Sequence, residues 1–181
     1  SVMTQEEGTI SITIRGIVCY GKRIYRGLLW RGKGKTTLAI GQCLRASAQG
    51  KSVIIIQFLK GRERRELDFL AELDNLDIKI FRFEKHDEGY EELNEQEKAE
   101  EKTNILNALN FGASDRNAGM RFSALDEILA LPDYGITTAE AIGDILKMKD
   151  ESMHILLTGR TLPDSLRKYA DSITTLTTEI V

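Results

Sequence analysis

The chain contains only two cysteines and two histidines in 181 residues. Cys19 and Cys43 lie far apart with no C-x-x-C spacing, and His86 and His154 show no metal-ligand spacing. This pattern speaks against a zinc site or a disulfide framework. It fits two buried or free thiols in a reducing compartment. Long apolar runs are missing as well: the longest, such as Val53 to Ile56, fall far short of a bilayer span. The opening Ser-Val-Met-Thr-Gln-Glu-Glu lacks the basic start and apolar core of a signal peptide. There is no general basic field for nucleic acid, because net charge is −3 and the pI about 5.6. Internal repeats and low-complexity linkers are absent too. Together these absences predict a cytoplasmic protein with neither a membrane nor a nucleic-acid partner.

What is present is a globular composition, 41% hydrophobic and 29% charged. The length predicts one domain over residues 1–181, enough to bury most of the surface its unfolded form exposes. Residues 1–23 read as an N-terminal extension. Within it, residues 9–20 begin with apolar–polar alternation, the mark of a strand or hairpin arm, and Gly21-Lys22-Arg23 reads as a turn.

The richest chemistry lies in Gly32-Lys33-Gly34-Lys35-Thr36-Thr37. A strand, Ile24 to Trp30, leads in, and a helical pattern, Leu38 to Ala48, leads out. That context turns a Gly-Lys-Thr loop into a phosphate cradle. Glycines let successive N–H groups turn inward on an anion, and the helix start adds free donors and its positive dipole end. Lys35 would meet the outer phosphates and the Thr36 hydroxyl would hold Mg²⁺. The loop departs from G-x-x-x-x-G-K-[ST], since Leu29 stands at the first glycine and Trp30-Arg31 follow it. Read without that context, the stretch is a basic, solvated turn.

The helix after the loop carries Leu38, Ile40, Cys43 and Leu44, with Gly41 placed for close packing on a sheet and Gly50 as its stop. Ser52 to Leu59 is a continuous β-branched run, the pattern of a strand covered on both faces. Arg62 to Leu73 is helical, and Asp77 to Phe83 is a short strand before a polar loop over residues 84–90. Asn94 and Glu97 form a capping box for a helix to about Asn110, whose acidic run Glu95 to Glu101 reads as solvated first turns. Phe111 to Gly119 reads as a loop, and Met120 to Leu125 as a strand ending in Asp126-Glu127. Pro132-Asp133-Tyr134-Gly135 turns the chain. Thr137 and Glu140 box the next helix. His154 to Leu157 is a strand leading to Thr158-Gly159-Arg160. Pro163 opens a short helix, and Ile173 to Val181 alternates as a final strand at the sheet edge.

Strands and helices thus alternate throughout, which predicts an α/β, three-layer, mainly parallel sheet with helices on both faces. Ligands of such sheets lie at the carboxyl ends of strands. The phosphate loop, Asp126-Glu127 and Thr158-Gly159-Arg160 all fall there. Asp126 and Glu127 suit a Mg²⁺ site opposite Thr36, with the choice between them open; adjacent carboxylates also serve as plain helix-start charges. Arg45 and Arg160 could clamp phosphate oxygens. For Arg45 the simpler reading is a solvent-facing helix charge.

Several segments in this order resemble one family. They are Gly32-Lys33-Gly34-Lys35-Thr36-Thr37, Cys43-Leu44-Arg45-Ala46, Val53 through Gln57-Phe58-Leu59-Lys60-Gly61, Leu125-Asp126-Glu127-Ile128, Asp133-Tyr134-Gly135-Ile136, and Ile155 through Thr158-Gly159-Arg160. From about Arg26 to Ile180 the chain resembles the P-loop ATP:corrinoid adenosyltransferases of cobalamin biosynthesis and corrinoid salvage.

The resemblance implies a RecA-like P-loop fold. It implies transfer of the 5′-deoxyadenosyl group of ATP to the Co(I) centre of a corrinoid, cob(I)alamin or cob(I)yrinic acid a,c-diamide, with release of triphosphate. Co(I) is itself the nucleophile, so the protein supplies positioning, charge neutralisation and exclusion of water. ATP contacts would come from Gly32, Lys33, Gly34, Lys35, Thr36, Thr37, Arg45 and Arg160. Mg²⁺ contacts would come from Thr36, Asp126 and Glu127, and the catalytic roles fall to Lys35, Thr36 and Glu127. Family members place aromatics after the third strand, under the corrinoid; here that loop holds Tyr90, with Phe83 at its start. A homodimer is implied, and a flavoprotein reductase is a candidate partner.

Two other readings remain open. Asp-Glu at a strand end also suits a P-loop ATPase or nucleotide kinase that activates water. Trp30-Arg31 would suit a degenerate domain that carries nucleotide or corrinoid without turnover.

Overall fold

The structure is a computed structural model that describes residues 11–18, 24–30, 34–59, 65–83, 88–114, 121–147 and 153–179. Expectations on Cys19, the turn at 21–23, Arg31, Gly32, Lys33, residues 60–64, His86 and Met120 lie outside the described residues.

In chain order the elements begin with β1 (Ser11–Val18), β2 (Ile24–Trp30), α1 (Lys35–Ala48), β3 (Ser52–Gln57), α2 (Arg65–Ala71) and β4 (Ile78–Arg82). A 3₁₀ turn at Tyr90–Glu92 precedes α3 (Glu95–Ser114) and β5 (Arg121–Asp126). A second 3₁₀ turn at Ile128–Ala130 leads to α4 (Ala139–Lys147), β6 (Met153–Gly159), α5 (Asp164–Arg167) and β7 (Ile173–Glu179). The strands form one sheet in the order β1-β7-β2-β6-β5-β3-β4. Among the described strands, only β1 runs against its neighbours.

Period-two alternation splits the sheet residues between two apolar layers. Val53, Ile55, Phe122, Ala124 and Leu156 pack under α1 and α2, against Ile40, Cys43, Leu67 and Leu70. Ile56, Leu125, Ile155 and Leu157 face α3, α4 and α5, against Ile105, Leu109, Ile142, Leu146 and Leu166. β5 is buried at every position, Arg121 and Ser123 included, because β3 and β6 flank it and helices cover both faces.

Five local expectations change. β7 is not an edge strand: it lies between β1, with Ser11 opposite Glu179, and β2, with Gly27 opposite Ile173. Alternation reports which face a side chain occupies, not whether the backbone has two neighbours. Gly41 does not pack on the sheet; it is exposed, and a Cβ there would meet nothing within 4 Å. It shares the outer stripe of α1 with Thr37, Leu44, Arg45 and Ala48, all exposed. Glu101 is buried, with 4% exposure, instead of solvated. It lies four residues before Ile105 and eight before Leu109, on the stripe that α3 turns inward. Phe111 to Ser114, read as loop, extend α3. Thr138, not Thr137, caps α4, accepting the Ala141 N–H at 3.1 Å. The capping box at α3 forms as its spacing predicts, with both reciprocal bonds between Asn94 and Glu97, at 2.8 and 3.0 Å.

Candidate functional site

Gly34 joins the loop after β2 to α1 with φ 118, a left-handed conformation that a side chain would oppose. Its carbonyl accepts the Leu38 N–H at 2.8 Å, so the helix begins at Lys35, earlier than the apolar pattern suggested. The first-turn N–H groups have no intrahelical acceptor. Lys35 and Thr36 are turned inward, 7% and 6% exposed, while Thr37 is exposed.

The carboxyl end of β5 meets this turn. Asp126 is 1% exposed. Its Oδ2 accepts the Thr36 hydroxyl at 2.9 Å, and the Gln57 amide donates to the same oxygen at 3.4 Å. Its Oδ1 accepts the Thr158 hydroxyl at 2.7 Å. Thr158, fully buried, accepts in turn from the Glu127 N–H at 2.7 Å. Glu127 follows the strand in a left-handed conformation, φ 63, and its carboxylate pairs with Lys35. A non-glycine residue held there costs about 1 kcal/mol or more and persists where surrounding contacts enforce it. Asp126 therefore faces Thr36, and Glu127 faces Lys35.

Lys35, Thr36, Asp126 and Glu127 come together across some 90 residues of chain. Arg45 does not join them: it is exposed near the end of α1, about 15 Å further along the helix axis. Arg160 is exposed immediately after Gly159 and close to Tyr134. Burial, then the charge of Glu91, raises the Tyr134 phenol above its ordinary value, and Arg160 pulls the other way. The Tyr134 ring meets Tyr90 edge to face at 5.4 Å and 71°. Arg160 and Tyr90 are thus gathered around one tyrosine. Phe83 stacks on Phe81 with centroids 6.3 Å apart.

Sequence reasoning gave no site role to Gln57, Thr158 or Tyr134, although it set Thr158 at the ligand edge with Gly159 and Arg160. Gln57 and Thr158 were findable, since each sits at the carboxyl end of a parallel strand. Tyr134 stood out only in its turn and in the segment Asp133-Tyr134-Gly135-Ile136 that shares in the family resemblance. No group of three or more His, Cys, Asp or Glu side chains suited to a metal occurs among the described residues. His154 is a core residue at the start of β6, its ring 6.5 Å from Phe122. Cys43 is a fully buried thiol, pushed up to about 12 by burial and by the charge of Asp126. No helix among the described residues is long and apolar enough to cross a membrane.

No curated protein matches the chain significantly. The family model for ATP:corrinoid adenosyltransferase BtuR/CobO/CobP matches residues 23–179, through the end of β7, and so spans both the Gly32 to Thr37 motif and the Asp126-Glu127 pair. The chain belongs to the ATP:corrinoid adenosyltransferase family.

Proposed function

We propose that this enzyme transfers the 5′-deoxyadenosyl group of ATP to the Co(I) centre of a corrinoid and releases triphosphate. The electron pair of Co(I) forms the cobalt–carbon bond as the C5′–oxygen bond breaks, and the triphosphate leaves with the bonding pair. No side chain acts as nucleophile. The observation that carries the reading is the meeting of Lys35 and Thr36 with Asp126 and Glu127 at the carboxyl edge of the sheet. Lys35 offers positive charge to a leaving group that is all negative, and Thr36 with Asp126 offers oxygen donors to a cation that would offset the rest.

In this reading Lys35 exchanges Glu127 for the phosphates, which is a charge-assisted pairing of the same kind. Gly32, Lys33, Gly34 and Thr37 would contact the phosphates, and Arg160 would reach the nucleotide from the end of β6. Thr36 and Asp126 would hold Mg²⁺: both offer hard oxygen donors, and they already lie 2.9 Å apart. When bound, Mg²⁺ supplies neutralisation of the triphosphate charge. Glu127 orients Lys35. Phe83 and Tyr90, at the end of the sheet that holds the strand termini, offer aromatic surface to the corrinoid. The same reading includes one domain, a homodimer, a cytoplasmic setting and a flavoprotein reductase as source of Co(I).

Hydrolysis is less well supported. Asp126 is committed to Thr36, Thr158 and Gln57, so it is not poised as a base for water, and a base role for Glu127 would need Lys35 to leave it. The test is anaerobic incubation with Mg·ATP and chemically reduced cob(I)alamin. Light-sensitive adenosylcobalamin with triphosphate is the expected outcome. ADP and phosphate with an unchanged corrinoid spectrum would replace the transferase reading with an ATPase. Bound ATP without reaction would leave a carrier domain.

A further inference from the structure

Gln57 ends β3 beside Asp126, with 3% of its surface exposed. Its Nε2 donates to Asp126 Oδ2 at 3.4 Å, a long bond. The amide oxygen, Oε1, is fully buried and has no hydrogen-bond partner among the described residues. Leaving such a buried acceptor unmade opposes folding. The neighbouring hydroxyls cannot serve it, because Thr36 and Thr158 each have one hydrogen and each gives it to Asp126. Turning the amide over would set its oxygen against a carboxylate oxygen, acceptor against acceptor.

None of the described residues supplies the missing donor, and a donor that arrives with a ligand would complete the site. Such a donor must also tolerate the Asp126 carboxylate beside it, which excludes an anionic group and favours protons polarised by a cation. Mg²⁺ gives up its hydration water reluctantly and keeps several waters when bound. We infer that Gln57 is a positioning residue of the metal site, its Oε1 accepting a hydrogen bond from a water of the Mg²⁺ shell while its Nε2 steadies Asp126. The inference rests on the reading that Thr36 and Asp126 hold Mg²⁺. Gln57 touches no reacting atom; it acts through Asp126 and the metal water.

The test is Mn²⁺ binding, followed by electron paramagnetic resonance, to the full chain with ATP and no corrinoid. Gln57→Met keeps the shape and removes the amide; Gln57→Glu keeps an oxygen acceptor and removes the N–H donor. ATP affinity in EDTA gives the metal-free baseline. The expected result is an Mn²⁺ Kd raised about tenfold or more in Gln57→Met, with ATP affinity in EDTA unchanged and Mn²⁺ affinity retained in Gln57→Glu. Should Gln57→Met not fold, Gln57→Ala is read in the same way. An unchanged Mn²⁺ Kd in the amide-free variant overturns the inference. Equal weakening in Gln57→Met and Gln57→Glu overturns it too, since the N–H contact to Asp126 would then be the whole effect. A wild-type protein that binds ATP but no Mn²⁺ refutes the underlying metal site and this inference with it. Normal Mn²⁺ binding without adenosyl transfer refutes the reaction alone.

Discussion

Thr158 gives its hydroxyl hydrogen to Asp126 at 2.7 Å, while its oxygen accepts the N–H of Glu127 at the same distance. One buried side chain on β6 thus holds both carboxylate residues at the end of β5. Thr158→Val keeps the shape and removes both bonds. We expect a loss of about 1–3 kcal/mol in urea unfolding, because a buried carboxylate and a backbone N–H lose their partner. Adenosyl transfer should fall further than stability explains, with more effect on kcat than on the KM for corrinoid. Full activity in a destabilised variant would remove the orienting role.

The division of labour between the two carboxylates can be separated by metal titration. Asp126 meets Thr36, so Asp126→Asn should raise the Mg²⁺ concentration for half-maximal activity about tenfold or more. Glu127 meets Lys35, so Glu127→Gln should leave that concentration nearly unchanged. Equal Mg²⁺ shifts in both variants would contradict this geometry.

The Lys35–Glu127 pair has side chains only 8% and 13% exposed. Removing one partner strands a poorly solvated charge, at a cost of about 3 kcal/mol. Lys35→Met and Glu127→Gln should each destabilise the fold, and the double variant should recover most of the loss. Activity should not recover if Lys35 meets the triphosphate as proposed; its loss should cost about 100-fold or more. Unfolding curves and turnover measured on the same samples make the comparison.

Gly159 lies against the turn after β5. A Cβ there would sit on the Cβ of Leu129 and 3.1 Å from its Cα, where backbone cannot yield cheaply. Gly159→Ala should cost about 1–3 kcal/mol and displace the Ile128–Ala130 turn that carries Glu127 into place. A fully stable variant would show that this contact is looser than described.

The Cys43 thiol, raised from an ordinary 9.0 to about 12, makes stability pH-dependent in alkali. Below pH 9 both states keep the proton and Cys43 has no effect. Above it the unfolded thiol ionises and the buried one does not, so stability falls as pH rises toward 12, at up to about 1.4 kcal/mol per pH unit. Cys43→Ala should lower stability overall yet flatten this slope. Identical slopes in the two proteins would show that other groups account for the alkaline loss.

Much of this was legible in the chain itself. Ile24 to Trp30 is a strand as read, and Asn94 with Glu97 caps α3 as read, because strand alternation and a capping box depend on residues a few positions apart. The phosphate loop and the Asp126-Glu127 pair stood out for the same reason. Errors arose where a local pattern has two spatial outcomes. Alternation in β7 fits an edge or an interior strand, a glycine in α1 fits either face, and Glu101 follows an acidic run yet lies on the inward stripe of α3.

Residue type and spacing settled most of the elements, their alternation, and the Gly-Lys-Thr and Asp-Glu motifs that carry the family resemblance. Tertiary structure alone decided who meets whom. Thr36 reaches Asp126 across 90 positions and Thr158 reaches it across 32, through strand order and register. The physical reason is that periodicity records how each residue faces its own helix or strand. Pairing between distant ends depends on which strands become neighbours, and that is set by burying two apolar layers at once.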